Sequence, residues 1–71
     1  MYGIHVSFCE RGYWSKPYTY KSEVPYEVGD ILVVPAGKFY NCVKVTGCTE
    51  NYKFPEHITF KYVHSKVNTD G

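Results

Sequence analysis

The sequence lacks any long hydrophobic run and any strong excess of charge. No apolar stretch approaches the roughly 18 residues that a membrane-spanning helix requires, and the N-terminus shows no signal-peptide pattern. The net charge is only +1, which argues against a polybasic protein that binds nucleic acid mainly by neutralising phosphates. We therefore predict no membrane partner, while a small nucleic-acid module with one local basic face stays open.

Cysteine is also scarce, and Cys9, Cys42 and Cys48 are its only occurrences. Three cysteines cannot all pair, so the sequence favours reduced thiols and a cytoplasmic location. Zinc sites usually contain closely spaced pairs of ligands, and that spacing is absent here. On one strand, His5 and Cys9 would lie about 13 Å apart, too far to share a metal. We predict neither a metal nor another cofactor.

Motifs for catalysis are missing as well. No glycine elbow or other nucleophile motif surrounds any of the cysteines. The carboxylates are scattered through turns and chain ends, where solvated charges normally lie. The sequence therefore predicts a protein that is not an enzyme.

Aromatic residues, by contrast, are abundant. They make up 18% of the chain, and eight of them are tyrosines. A single domain of 71 residues buries only about 60% of the surface of its unfolded chain, so it cannot cover all of these rings. We expect several tyrosines at the surface, where an amphipathic ring can stack on a base or fill a pocket of a protein partner.

The hydrophobic pattern is that of short β-strands. Apolar and polar residues alternate strictly over 2–9, which predicts a first strand there. Further strands are predicted from residue 18 onwards and over 31–34, 39–45 and 58–63, with a loop at 10–17 and a flexible C-terminal tail at 68–71. Five short strands and no helix of useful length predict an all-β fold. We expect one five-stranded barrel of the SH3-like or OB-like kind over residues 1–67.

The stretch 26–48 should organise this barrel as its central hairpin. Pro35 is expected to end the first of the two strands, and Gly47 to end the second. Within the second strand, Val43 and Val45 should face one side, and Cys42 and Lys44 the other. The rest of the chain has too little apolar material to fold alone and is predicted to wrap onto this hairpin.

Five short motifs follow one another along the chain. They are Tyr18-Thr19-Tyr20, Gly29 before 31–34, Val34-Pro35-Ala36-Gly37-Lys38, Val43-Lys44-Val45, and Pro55 before 58–63. Over roughly residues 4–67, their order and spacing resemble the N-terminal DNA-binding domain of the primosomal helicase PriA. The resemblance implies a small barrel that binds the 3′ end of a DNA strand, here without the helicase portion. Small free-standing proteins of this pattern resemble products of phage genomes.

The resemblance also assigns positions around the ligand. Tyr18 stands where the family has a pocket aromatic, and Gly37 where a turn glycine lets the backbone approach the ligand. Two positions depart from the family: Thr19 replaces an acid, and Ile58 or Thr59 stands in place of a lysine. The acid that would hold a terminal hydroxyl is therefore absent.

From the residues alone, the turn at Gly37 is a candidate binding edge. Gly37 allows close backbone approach, Lys38 would meet a phosphate, and Phe39 or Tyr40 would offer a stacking face. The alternative is an ordinary hairpin turn in which Gly37 adopts a positive φ, Lys38 is solvated and Phe39 fills the barrel.

The pair Tyr13-Trp14, close to Arg11, is the candidate protein-interaction site. Trp and Arg in a loop are frequent anchors of interfaces, and basic residues beside aromatics also suit single-stranded nucleic acid. The alternative places Trp14 under its loop as a cap on the barrel. Lys44 and Lys61 would form a modest positive strip if they share an outward face, although solubilising lysines explain the same pattern.

Two functions follow from these features. The first, which the resemblance favours, is a module that binds nucleic acid or a nucleotide by stacking on Tyr18 and Tyr40, with Lys38, Lys44 and Lys61 on phosphates. The second is a protein-interaction module, such as a phage-encoded inhibitor of a host enzyme or defence complex. Self-association into a homo-oligomer through a strand edge is a third interpretation.

Overall fold

The computed structural model describes residues 1–10, 13–14 and 17–67, with only the backbone of 9–10 and 13–14. The predicted tail at 68–71 lies outside the described residues. The described chain contains no helix and six strands: β1 (Tyr2–Glu10), β2 (Tyr13–Trp14), β3 (Tyr18–Ser22), β4 (Ile31–Ala36), β5 (Phe39–Thr49) and β6 (Ser65–Lys66). The prediction of an all-β fold is confirmed.

The strands form one antiparallel sheet in the order β3-β1-β5-β4-β6, and β2 pairs with the far end of β1. β1 and β5 are the central strands. In the described part of the chain, the edge strands β3 and β6 do not pair with each other, so the ladders do not close into a barrel. The closed barrel stays a prediction.

One face of this sheet carries the core. Seven of its side chains are at most 9% exposed: Ile4, Val6, Tyr20, Leu32, Val34, Val43 and Val45. They follow the period of two along β1, β4 and β5, because successive side chains of a strand point to opposite faces. The prediction that Val43 and Val45 share one side of their strand is confirmed, and that side faces the core.

The prediction that Gly47 ends β5 is wrong, because a β-bulge carries the strand on to Thr49. His5 pairs with Gly47 while Val6 pairs with Val45, which leaves Thr46 as an extra residue on β5. The insertion shifts the alternation by one residue. Cys48 therefore packs against the core, on the same side as Val45.

The prediction that Pro35 ends the preceding strand is also wrong. β4 continues to Ala36, and Pro35 pairs with Tyr40 across the hairpin. β6 pairs only with Leu32 and Val33 of β4. Among the described strands, none therefore lies along the outer edge of β4 at Pro35, where the N–H that proline lacks would otherwise be needed.

Two glycines shape the turns on either side of β4. Gly37 has φ +62° and begins the two-residue turn Gly37-Lys38, which accords with the preference for glycine at the first central position of such a hairpin. Gly29 has φ +98° in the turn that closes when the Asp30 N–H donates to the Glu27 carbonyl at 3.0 Å. The two turns thus define the start and the end of β4, the first strand of the predicted central hairpin.

The prediction of a strand over 58–63 is wrong. Only Tyr62 joins the sheet in this stretch, through an isolated parallel bridge to Lys21. The Ile58 N–H donates to the Pro55 carbonyl at 3.3 Å, which turns the chain just before the expected strand. The Phe60 ring packs on Phe54, with ring centroids 4.9 Å apart.

The C-terminal segment instead crosses from one edge of the sheet to the other. The Lys21 N–H donates to the Lys61 carbonyl at 2.8 Å, and the Val63 N–H donates to the Lys21 carbonyl at 2.9 Å. Further on, the His64 N–H donates to the Val33 carbonyl at 3.0 Å. The segment thus contacts β3 first and β4 next.

The predicted loop at 10–17 is only partly correct. The backbones of Tyr13 and Trp14 form β2, which pairs with Glu10 and Cys9. β2 therefore lies along the same edge of β1 as β3, beyond Tyr18.

Candidate ligand groove

An open groove of about 320 Å³ lies where three parts of the chain meet at one end of the sheet. Its walls are residues 18–20 of β3, Pro35 and Ala36 at the end of β4, and the segment 58–61. A smaller groove of about 230 Å³ shares Tyr18, Tyr20 and Ala36 with it. Together they form a continuous concave surface that contains two of the predicted site residues, Tyr18 and Lys61.

Two tyrosines give the groove its aromatic wall. Tyr18 is 56% exposed and packs edge-on against Phe8, with ring centroids 5.2 Å apart. Tyr20 is buried, and its hydroxyl donates a long hydrogen bond of 3.5 Å to the Pro35 carbonyl. Burial, followed by the neighbouring Tyr18, raises the pKa of Tyr20, so its phenol keeps its proton. One ring is therefore fixed in the core while the next is open to a ligand.

The Thr19 side chain is engaged on the opposite face of β3. Its Oγ1 lies 2.9 Å from Nδ1 of His5, and the other ring nitrogen of His5 lies 2.9 Å from Oγ1 of Thr49. This imidazole thus links the three adjacent strands β3, β1 and β5. The Thr19 hydroxyl is not available to replace the acid that the resemblance places at this position.

Lys61 supplies positive charge to the groove. Its side chain is exposed, and its carbonyl is fixed by the hydrogen bond from Lys21. No acidic residue is among the described residues that line the groove. The site is therefore apolar and aromatic, with one cation at its margin.

Of the other predicted site residues, some adjoin this groove and others lie away from it. Gly37 and Lys38 form the turn immediately after Ala36 and are exposed beside one wall. Tyr40 lies on the outer face of β5 and packs against His64, with ring centroids 4.8 Å apart. The structure brings Tyr18 and Lys61 together and directs Tyr40 elsewhere.

Lys44 belongs to a second groove of about 310 Å³, which it lines with Ser7, Val28, Val45 and Thr46. None of these residues lines the groove at Tyr18. The predicted strip of Lys44 and Lys61 is thus divided between two surfaces.

The predicted protein-interaction residues cannot be placed in the same way. Arg11 and the side chains of Tyr13 and Trp14 lie outside the described part of the structure. What the structure does show is that Phe39 is 76% exposed, so it does not fill the core as one interpretation of the turn required. Its exposure leaves an aromatic ring at the tip of the hairpin.

Sequence reasoning missed several residues that line or support the groove. Pro35 and Ala36 fall between the predicted strands 31–34 and 39–45, and only the register of the hairpin shows that they form a wall. Tyr52 and Phe54 fall between the predicted strands 39–45 and 58–63, yet their rings lie 4.8 Å apart on the outer face of the sheet. Their spacing of two residues was the available signal.

No group of three or more His, Cys, Asp or Glu side chains that could hold a metal ion occurs in the part of the chain described above. Nor does that part contain a helix long and apolar enough to cross a membrane. Comparison with known protein families, with curated proteins and with solved structures finds no match to this chain.

Proposed function

We propose that this protein is a non-enzymatic binding module whose groove holds single-stranded nucleic acid or a nucleotide. The observation that carries the proposal is a convergence in space. The resemblance to the PriA domain places ligand contacts at Tyr18, at Thr19 and at Ile58 or Thr59, and these two stretches are far apart in sequence. Both stretches line one groove, although the Thr19 side chain itself contacts His5, and Gly37 follows directly after the groove wall.

The chemistry of the groove suits a nucleobase better than a polyanionic track. An exposed tyrosine ring can stack on any base, and such stacking contributes about 1–3 kcal/mol per base. Lys61 is positioned at the margin for a phosphate, and Lys38 is exposed on the adjoining turn. Since the family acid is absent and the Thr19 hydroxyl contacts His5, we propose that binding depends on stacking and not on capture of a 3′ hydroxyl.

We also propose that the sheet closes into a small barrel, with the C-terminal segment as the closing strand. The support is that this segment reaches both edges. It makes two backbone hydrogen bonds to Lys21 of β3, at 2.8 and 2.9 Å, and pairs with Leu32 and Val33 of β4. Closure would remove the exposed strand edges that otherwise promote aggregation.

The experiment is a fluorescence anisotropy titration with labelled single-stranded and 3′-recessed DNA at about 50 and 200 mM salt. One or two phosphate contacts predict an affinity that falls about 3–7-fold between these concentrations. Tyr18→Ala should weaken binding at least about fivefold, while Tyr18→Phe keeps the stacking ring and should bind like wild type. Tyr40→Ala, on the outer face, is the matched control. Absence of binding at the lower salt concentration would refute the proposal.

A second candidate function is a protein-interaction module, such as a phage-encoded inhibitor. The observation that favours it is the exposure of two apolar side chains, Phe39 at 76% and Val28 at 72%. Exposed aromatic rings are frequent hot spots of interfaces. Affinity capture from a bacterial lysate tests it: a specific partner should be retained by wild type and lost with Phe39→Ala or Trp14→Ala. If both variants retain the partner as well as the wild-type protein does, this function is excluded.

A further inference from the structure

The segment 58–63 has the sequence of a strand but is only partly paired. Ile58, Phe60 and Tyr62 alternate with polar residues, the pattern that predicts a β-strand. In the structure only Tyr62 is bridged to β3, and residues 58–61 stand off as one wall of the groove. The sequence and the structure therefore disagree at the site itself.

The edge of β3 opposite this segment is available for pairing. Lys21 directs its N–H and C=O outward, to the Lys61 carbonyl and the Val63 N–H. Residues two apart in a strand direct their backbone groups to the same side. The N–H and C=O of Thr19 therefore point to the same edge of β3 as those of Lys21, toward the groove. No backbone hydrogen bond joins Thr19 to residues 59–61, all of which the structure describes.

The side chains of the segment are already arranged for pairing. A parallel rung next to the Lys21–Tyr62 bridge would pair Thr19 with Phe60 and place Phe60 on the outer face. Phe60 already packs there on Phe54, whose ring also lies 5.3 Å from the Lys21 ammonium. Pairing thus needs a backbone movement and no exchange of side-chain contacts.

We propose that residues 58–61 are a strap that pairs reversibly with Thr19 and closes the groove. In the closed state the Thr19 N–H donates to the Thr59 carbonyl, and the Lys61 N–H donates to the Thr19 carbonyl. Two hydrogen bonds are gained and the backbone freedom of a few residues is lost, contributions of the same order, so both states are populated. The ligand binds only when the strap is open. The apparent affinity is therefore the intrinsic affinity multiplied by the fraction of molecules in the open state. The strap does not depend on which ligand the groove takes.

Amide hydrogen exchange of the wild-type protein, measured by NMR, tests the strap without any ligand. The amides of Lys21 and Val63 are bonded in both states and serve as internal references. We expect the Thr19 and Lys61 amides to exchange at least about twofold more slowly than in an unstructured chain. Exchange of both at the unstructured rate would overturn the proposal.

A pair of variants tests the consequence for binding. Lys61→Pro removes the N–H that the closed state needs but keeps the carbonyl that accepts from Lys21. Lys61→Ala removes the same side chain and keeps the N–H. With labelled oligothymidylate as the probe, Lys61→Pro should bind at least about twofold more tightly than Lys61→Ala. Equal affinities would refute the strap. If neither the variants nor the wild-type protein bind the probe, the proposed function fails. In that case, or if Lys61→Pro does not fold, the amide exchange rates alone decide whether the strap exists.

Discussion

Gly3→Ala tests the packing of the outer face of the sheet. A Cβ atom at Gly3 would lie 2.5 Å from Cγ, 2.7 Å from Cβ and 2.8 Å from Cδ1 of Tyr52. Real Cβ atoms do not approach other carbons this closely, so the base of the ring has to move. Gly3 itself cannot yield easily, because it pairs with Lys21 on one side and Thr49 on the other.

The Tyr52 ring has little room to move. It packs edge-on against His5 at 5.4 Å and against Phe54 at 4.8 Å. Overpacking of this kind costs about 1–3 kcal/mol, and the reduced freedom of the unfolded chain returns about 0.4–1 kcal/mol. We therefore expect Gly3→Ala to lower the free energy of unfolding by up to about 2.6 kcal/mol, and by about 1.3 kcal/mol at the middle of the two ranges.

The assay is urea denaturation followed by circular dichroism, with Gly47→Ala as the matched control. A Cβ at Gly47 would lie 3.4 Å from Cδ2, 3.9 Å from Cβ and 4.0 Å from Cγ of His5, which are ordinary contact distances, so this change should be neutral or stabilise by up to about 1 kcal/mol. A second measurement assigns the cause. In a Tyr52→Ala background the cost of Gly3→Ala should largely disappear, giving a coupling of about 0.5–3 kcal/mol. An unchanged cost in that background would refute the packing argument.

Three further predictions concern stability and surface charge. Leu32→Ala, in the core, should cost about 2–5 kcal/mol in the free energy of unfolding by urea denaturation, whereas Ile58→Ala, half exposed, should stay within about 0.5 kcal/mol. The Glu27 N–H, and then Lys66, hold the pKa of Asp30 below its ordinary value, so its contribution to stability is present above that value and is lost as pH falls through the folded pKa. Thermal unfolding of Asp30→Asn should therefore differ from wild type at neutral pH and converge with it in acid; a constant difference would contradict this. Lys66→Ala should change the free energy of unfolding by less than about 1 kcal/mol, because the Lys66 side chain is 53% exposed where its ammonium meets Asp30 at 3.4 Å.

The fold class could be predicted from sequence because a period of two is a local signal. The first strand, the central hairpin and the shared side of Val43 and Val45 all follow from it. The bulge at Thr46 could not be predicted, since it depends on which residues of β5 oppose His5 and Val6. That pairing is a property of the sheet and not of either strand.

The candidate site was predictable only in part. Tyr18 and Lys61 were singled out by residue type and by resemblance, and both line the groove. Pro35 and Ala36, which also line the groove, could not be predicted, because a proline normally breaks a strand. Here Pro35 stays in β4 at an edge position where no strand in the described part of the chain needs its N–H. The strand predicted at 58–63 failed because its period-two signal says nothing of whether the backbone reaches the edge at Thr19.

A titration of isotope-labelled protein with single-stranded DNA, followed by amide chemical shifts at about 50 mM salt, tests the central claim most directly. The account predicts that the largest shifts map to the groove, at Tyr18, Ala36 and Lys61, while Lys44 in the second groove is unaffected. A spectrum that does not change, or shifts centred on Lys44, would contradict it.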